Sequence, residues 1–227
     1  MTTTHPNSAG PLDETETARV RRAGRLLCGS ALAFLLGFAA IIVSGLVSGT
    51  IQEEDAAAER LGVGVNELPA DVVAAIRADV TWFETVLISL PLLVAAVLLF
   101  LGVRAAAQAG HARRPALAAA ATVLAAAATL AMLVMLVASA LLERGVTGSE
   151  DVSRGAVVAL TGLGCAALVA VVPVLRARGL ARRTGVVVAV LGSLVVIGVW
   201  LVPPFAPFLL ALVLGVALAR TRTSATI

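Results

Sequence analysis

Lysine is absent from the 227 residues, so all 17 basic side chains are Arg. Without a Lys amine there is neither Schiff-base chemistry nor a Walker A phosphate loop. Tyrosine is also missing, and carboxamides occur only at Asn7, Asn66, Gln52 and Gln108. Two Cys are too few for a disulfide-stapled scaffold. The two His, His5 and His111, lie outside every long apolar run, which excludes paired-His haem ligation and a Ser–His protease inside a membrane. No set of His, Cys, Asp or Glu has metal-ligand spacing, so neither a metal nor a cofactor is expected.

Charge is scarce too. Charged residues make up 14% of the chain, against about a quarter in an ordinary soluble domain. Apolar types reach 59% and mean hydropathy is +1.00. Too little polar surface remains to clothe a water-soluble globule. The composition therefore predicts an all-α, polytopic transmembrane helix bundle. The Arg, Ala and Val bias points to a GC-rich bacterial genome.

A span needs roughly 20 apolar residues to cross a hydrocarbon core about 30 Å thick. Stretches free of Asp, Glu, Arg and His predict spans at about 26–48, 85–103, 115–142 and 155–175. The last such stretch, 184–219, is 36 residues long and is broken by Pro203-Pro204. Proline lacks an amide donor and biases its predecessor away from helix, so two short spans are read, 185–202 and 205–219. Six spans result; the alternative is five with a re-entrant hairpin.

Orientation follows the excess of basic residues in cytoplasmic loops. With the N-terminus inside, 13 of the 17 Arg face the cytoplasm, but only Asp13, Glu14 and Glu16 of the 14 acids do. The inner face then carries +10 and the outer face −7. Both termini are expected in the cytoplasm: residues 1–25 as a disordered tail with the Arg cluster, and 220–227 as a second tail. Anionic inner-leaflet lipid is the expected partner of the Arg-bearing loops. The basic balance is thus no sign of nucleic-acid binding. Trp82 and Trp200 fall at outer interfaces, as an aromatic belt requires. The first apolar run exceeds the 7–15 residues of a secretory signal core, so it reads as an uncleaved anchor in the inner membrane.

Between the first two spans lies a 33-residue loop, 49–81, with seven acids and a net charge of −5. Thr50 and Glu53 have capping-box spacing for a short helix through Arg60, ended by the sequence Leu-Gly-Val-Gly at 61–64. Asn66 reads as a second cap with Pro69 in the first turn. Val72, Ile76, Val80 and Phe83 recur at helical spacing and lead into the second span, with a bend expected at Pro91. The segment is too small for its own core and reads as an acidic cap on the outer ends of the spans.

Ionisable residues in a span are functional candidates because holding them there is expensive. Glu84, at the outer rim of the second span, is the one candidate contact for a substrate or partner; catalytic and metal residues are not found. Cys28 and Cys165 differ in depth and read as packing residues. Small residues recur every four positions: Ala33 and Gly37, Ser44 and Ser48, Gly45 and Gly49, and Ala211, Gly215 and Ala219. Such spacing lets helices approach closely in lipid, within the bundle or against a homo-oligomer or membrane-protein partner. The interior reads as lacking polar groups. A non-enzymatic accessory or scaffold protein is therefore expected, the alternative being a permease subunit driven by a separate ATPase.

Overall fold

A computed structural model describes residues 14–76, 82–110, 114–142, 144–146, 148–176, 180, 182–197 and 205–220. In chain order the helices are α1 (Glu14–Ser48), α2 (Thr50–Leu61), a 3₁₀ turn (Val65–Glu67), α3 (Ala70–Ile76), α4 (Trp82–Gly110), α5 (Pro115–Leu142), α6 (Ser149–Arg176), α7 (Arg182–Ile197) and α8 (Ala206–Ala219). Within α1, α4, α5 and α6 lie four stretches long and apolar enough to cross a membrane: Thr17–Ser48, Ser89–Ala109, Pro115–Leu142 and Ser149–Arg176. The fold is an all-helical bundle of membrane type.

Its exterior is as apolar as its interior. Leu36 is 60% exposed on α1, Val123 66% on α5 and Ile197 80% on α7. In water such a surface would drive association; in lipid it costs nothing. α6 is the central helix, packed by α4, α5, α7 and α8, and its Leu160, Leu168 and Val171 are fully buried. α1 lies against α4 on one side and α8 on the other.

Small residues set these contacts. At Gly215 a Cβ would lie 2.8 Å from Cys28 Sγ and 2.9 Å from the Gly24 carbonyl oxygen, while at Gly24 it would lie 2.7 Å from the Ala219 nitrogen. Further along, Phe34 stacks on Phe208 with ring centroids 4.2 Å apart. The order of these pairs makes α1 and α8 antiparallel and brings the start of α1 beside the end of α8. α1 and α4 are antiparallel as well, since Gly37 receives Leu92 and Gly102 receives Leu27. The Ala211–Gly215–Ala219 series thus serves packing inside the bundle.

Several expectations change. Residues 14–25 are not a disordered tail: α1 begins at Glu14, and Val20, Ala23 and Leu27 bury one face of it. Charge alone does not end a helix whose other face is packed, and for the same reason α4 continues past Arg104 to Gly110. α7 and α8, at 16 and 14 residues, measure about 24 and 21 Å at 1.5 Å per residue. With Phe208 on Phe34, and Pro207 against Gly164, the N-terminal end of α8 stops beside the middle of α1 and α6. The C-terminal half of α1 is left largely uncovered, with Phe38, Ile41, Val43, Leu46 and Val47 exposed. Residues 198–204, with Trp200 and Pro203-Pro204, lie outside the described residues.

The corner between α1 and α2 also departs from expectation. Thr50 is the first residue of α2, not its cap; its Oγ1 lies 3.0 Å from Ser48 Oγ. The chain turns at Gly49, whose φ of 77° is left-handed and suits a residue without Cβ. Gly45 is the seat of Ile51 from α2, so Gly45 and Gly49 shape a corner and not an interface between spans. Asn66 falls in the 3₁₀ turn instead of capping α3, whose first amide donors, Val72 and Val73, reach the Pro69 carbonyl. Continuity from α3 into α4 runs through 77–81, outside the described residues.

Candidate functional site

At the end of the bundle that carries the acidic segment, α2 and α3 fold on each other over a small apolar cluster. Ala57, Ala58 and Leu68 are buried there, with Val72, Val73 and Ile76 packed against them. α2 ends where the sequence signals it, on a Schellman motif: the Val63 amide donates to the Ala58 carbonyl and the Gly62 amide to that of Glu59. Gly62, at φ 67°, supplies the left-handed residue the motif needs. α3 rests on the end of α5, and a Cβ at Gly145 would touch Ala74 at 3.5 Å. The segment is a helical cap seated on the bundle.

Beneath the cap is a cavity of about 570 Å³ lined by Glu54, Val65, Leu68, Val73, Leu142, Glu150 and Arg154. Glu150 and Arg154 pair at 2.5 Å one turn apart on α6, with side chains 36% and 59% exposed. A solvated pair of this kind contributes little stability. Glu53, Asp55, Glu59, Glu67 and Asp71 are exposed, and Glu67 also accepts the Gly64 amide at 3.3 Å. These exposed carboxylates, on α2, the 3₁₀ turn and α3, form a negative surface on the cap.

Glu84 lies in the first turn of α4, but its side chain, like that of Trp82, falls outside the described residues. Asp79, His5 and His111 fall outside them too. Cys28 and Cys165 are free thiols; Cys165 is fully buried, and Cys28 packs on Gly215 as expected of a small residue. Among the described residues no group of three His, Cys, Asp or Glu is placed to hold a metal ion.

Among the described residues, the buried polar side chains inside the bundle are short hydroxyls, several of them turned onto helix carbonyls. Ser30 donates to Ala95 O at 2.7 Å and Thr161 to Val157 O at 2.9 Å. Thr129 reaches both Ala96 O and Ala125 O. Each of these three hydroxyls is bonded within its own helix or to the neighbouring one.

The opposite end holds a feature the sequence reading missed. Arg19, Arg22 and Leu26 of α1 and Leu101, Arg104, Ala105 and Gln108 of α4 line a cleft of about 650 Å³. Each set recurs at helical spacing on one face of its helix, a signal legible only once α1 is known to start before Arg19. The chain matches no family model, no curated protein and no solved structure.

Proposed function

We infer that this is a six-span protein of a bacterial inner membrane with both termini in the cytoplasm. In this reading it is a non-enzymatic scaffold that works through helix packing and through its acidic outer cap. The observation that carries the reading is the state of the interior: its hydroxyls at Ser30, Thr129 and Thr161 are already bonded to helix carbonyls. A permeation path needs polar groups free to replace hydration, and a catalytic centre needs a proton donor or nucleophile. A bundle spent on packing suits a protein whose work is done at its ends.

Six crossings are supported by the composition of the α7–α8 connection. Residues 198–204 are wholly apolar and include Pro203-Pro204, a composition that reads as a break between two spans. Trp200 in the same stretch is a residue type that favours membrane interfaces. The proximity of Gly24 and Ala219 supports placing both termini on one side. The Arg distribution supports making that side the cytoplasm.

Topology is tested with reporters in the full-length chain. A fluorescent protein fused after Ile227 should be bright, and a phosphatase inserted at Gly62 should be active; the reverse pair of results overturns the orientation. The scaffold role is tested by pull-down in mild detergent. One stoichiometric partner, lost when Glu53, Asp55 and Glu59 are changed to Gln, is expected. Recovery of an ATP-binding subunit instead would place the protein with the transporters.

A further inference from the structure

The Arg-lined cleft between α1 and α4 is a built feature and not a scatter of loop charges. Its walls are fixed by the helix contact beside it, where Leu27 fills the space over Gly102 and a Cβ there would lie 2.8 Å from Leu27 Cδ2. Against that contact, Arg19 and Arg22 descend from α1 and Arg104 and Gln108 from α4. Among the described residues no acidic side chain lines the cavity. Three guanidinium groups around one space repel each other, and an anion between them removes that repulsion.

The rest of the lining narrows the ligand class. Guanidinium groups match phosphate oxygens through paired N–H donors, and Gln108 adds a neutral donor. Toward the bundle centre the walls become Leu26 and Leu101, the latter 38% exposed on the apolar exterior. The cleft thus has a cationic mouth at the end of the bundle and an apolar floor opening sideways. Other Arg at the same end, Arg114, Arg183 and Arg220, are exposed and stand apart from it.

We propose that this cleft is a binding site for a phosphate group, seated among Arg19, Arg22 and Arg104, carried by an anionic lipid or a soluble phosphate compound. The proposal deepens the membrane reading above and rests on it, since it sets this end at a headgroup surface. Binding at one such cleft should saturate, unlike the diffuse attraction of basic loops to a charged leaflet.

The test uses the full-length protein in phosphatidylcholine nanodiscs. One arm adds a small fraction of phosphatidic acid and reads retained lipid by native mass spectrometry. The other adds inorganic phosphate or pyrophosphate to discs without anionic lipid and reads the thermal unfolding temperature. Wild type is compared with Arg19→Gln/Arg22→Gln/Arg104→Gln and with an equally neutralised control, Arg114→Gln/Arg183→Gln/Arg220→Gln. The cleft variant should bind the phosphate probe about tenfold more weakly or worse, the scale of lost charge-assisted bonds, while the control stays near wild type. An effect in the lipid arm identifies a lipid headgroup, and an effect confined to the soluble arm identifies a soluble ligand. Equal loss in both variants, or no binding in either arm, overturns the site. Should the triple variant not fold, Arg104→Gln alone carries the comparison. Release of the chain from membranes by alkaline carbonate would instead defeat the membrane reading, a result separable from failure of the cleft.

Discussion

The hydroxyl of Ser30 on α1 donates to the carbonyl oxygen of Ala95 on α4 at 2.7 Å, across 65 residues of sequence. The next carbonyl along α4, that of Ala96, accepts from Thr129 on α5 at 3.1 Å. Successive peptide oxygens of α4 are therefore claimed by helices on its two flanks. Ser30 is fully buried, so its side chain has no room to grow. Ser30→Ala should lower stability by about 0.6 kcal/mol, the average for interhelical bonds in membranes. Ser30→Leu should cost about 1–3 kcal/mol through overpacking. Unfolding in a graded denaturing detergent reads both, and equal effects would refute this account of the contact.

Gly215 and Gly155 make a matched pair. At Gly215 an added Cβ meets backbone atoms of α1 at 2.9 Å, whereas at Gly155 nothing lies within 4 Å. Gly215→Ala should push α8 off α1 and destabilise by about 1–3 kcal/mol. Gly155→Ala, at an exposed position within α6, should be neutral or stabilising by up to about 1 kcal/mol. Thermal unfolding of the two variants side by side checks the difference.

Leu36 is 60% exposed near the middle of the apolar part of α1. Leu36→Arg would be harmless on a protein surfaced by water. Facing lipid, the charge costs about 2.5–3.5 kcal/mol of insertion free energy. The variant should be depleted from the membrane fraction, as measured by blotting after fractionation; wild-type abundance would argue against a lipid-facing α1.

Ser139 and Ser153 bring their Oγ atoms to 3.3 Å at the ends of α5 and α6 nearest the cap. Cysteines at both positions, with Cys28 and Cys165 changed to Ala, should form a disulfide, because the side-chain atoms that sulfur would replace already meet at 3.3 Å. If that end faces an oxidising compartment, the crosslink forms without added oxidant. Blocked maleimide labelling until reduction is the readout.

Much of the membrane architecture was legible in the sequence because each apolar residue contributes its transfer free energy wherever it sits. Charge-free stretches located the apolar cores of α1, α4, α5 and α6, and Gly62 marked the end of α2. The helix limits are less legible: the Arg19, Arg22 and Arg25 cluster reads as a tail by charge, although Val20, Ala23 and Leu27 carry the buried-face spacing. At the α1–α2 corner, Thr50 looked like a cap because side-chain chemistry was visible while the left-handed turn at Gly49 was not. The Arg cleft could not be read from sequence, since Arg22 and Arg104 belong to helices whose mutual register is set by tertiary contacts, Gly37 with Leu92 and Leu27 with Gly102.

By itself, then, the order of residues determined which segments prefer lipid and which end of each gathers Arg, because both are local, additive properties of the chain. Only the tertiary structure decided which of the many small residues meet. In a bundle so rich in Ala and Gly many pairings look equivalent on paper, and lipid supplies no hydrophobic preference among them. Shape complementarity selects Gly24 and Cys28 against Gly215 and Ala219, and Leu27 against Gly102 beside the cleft.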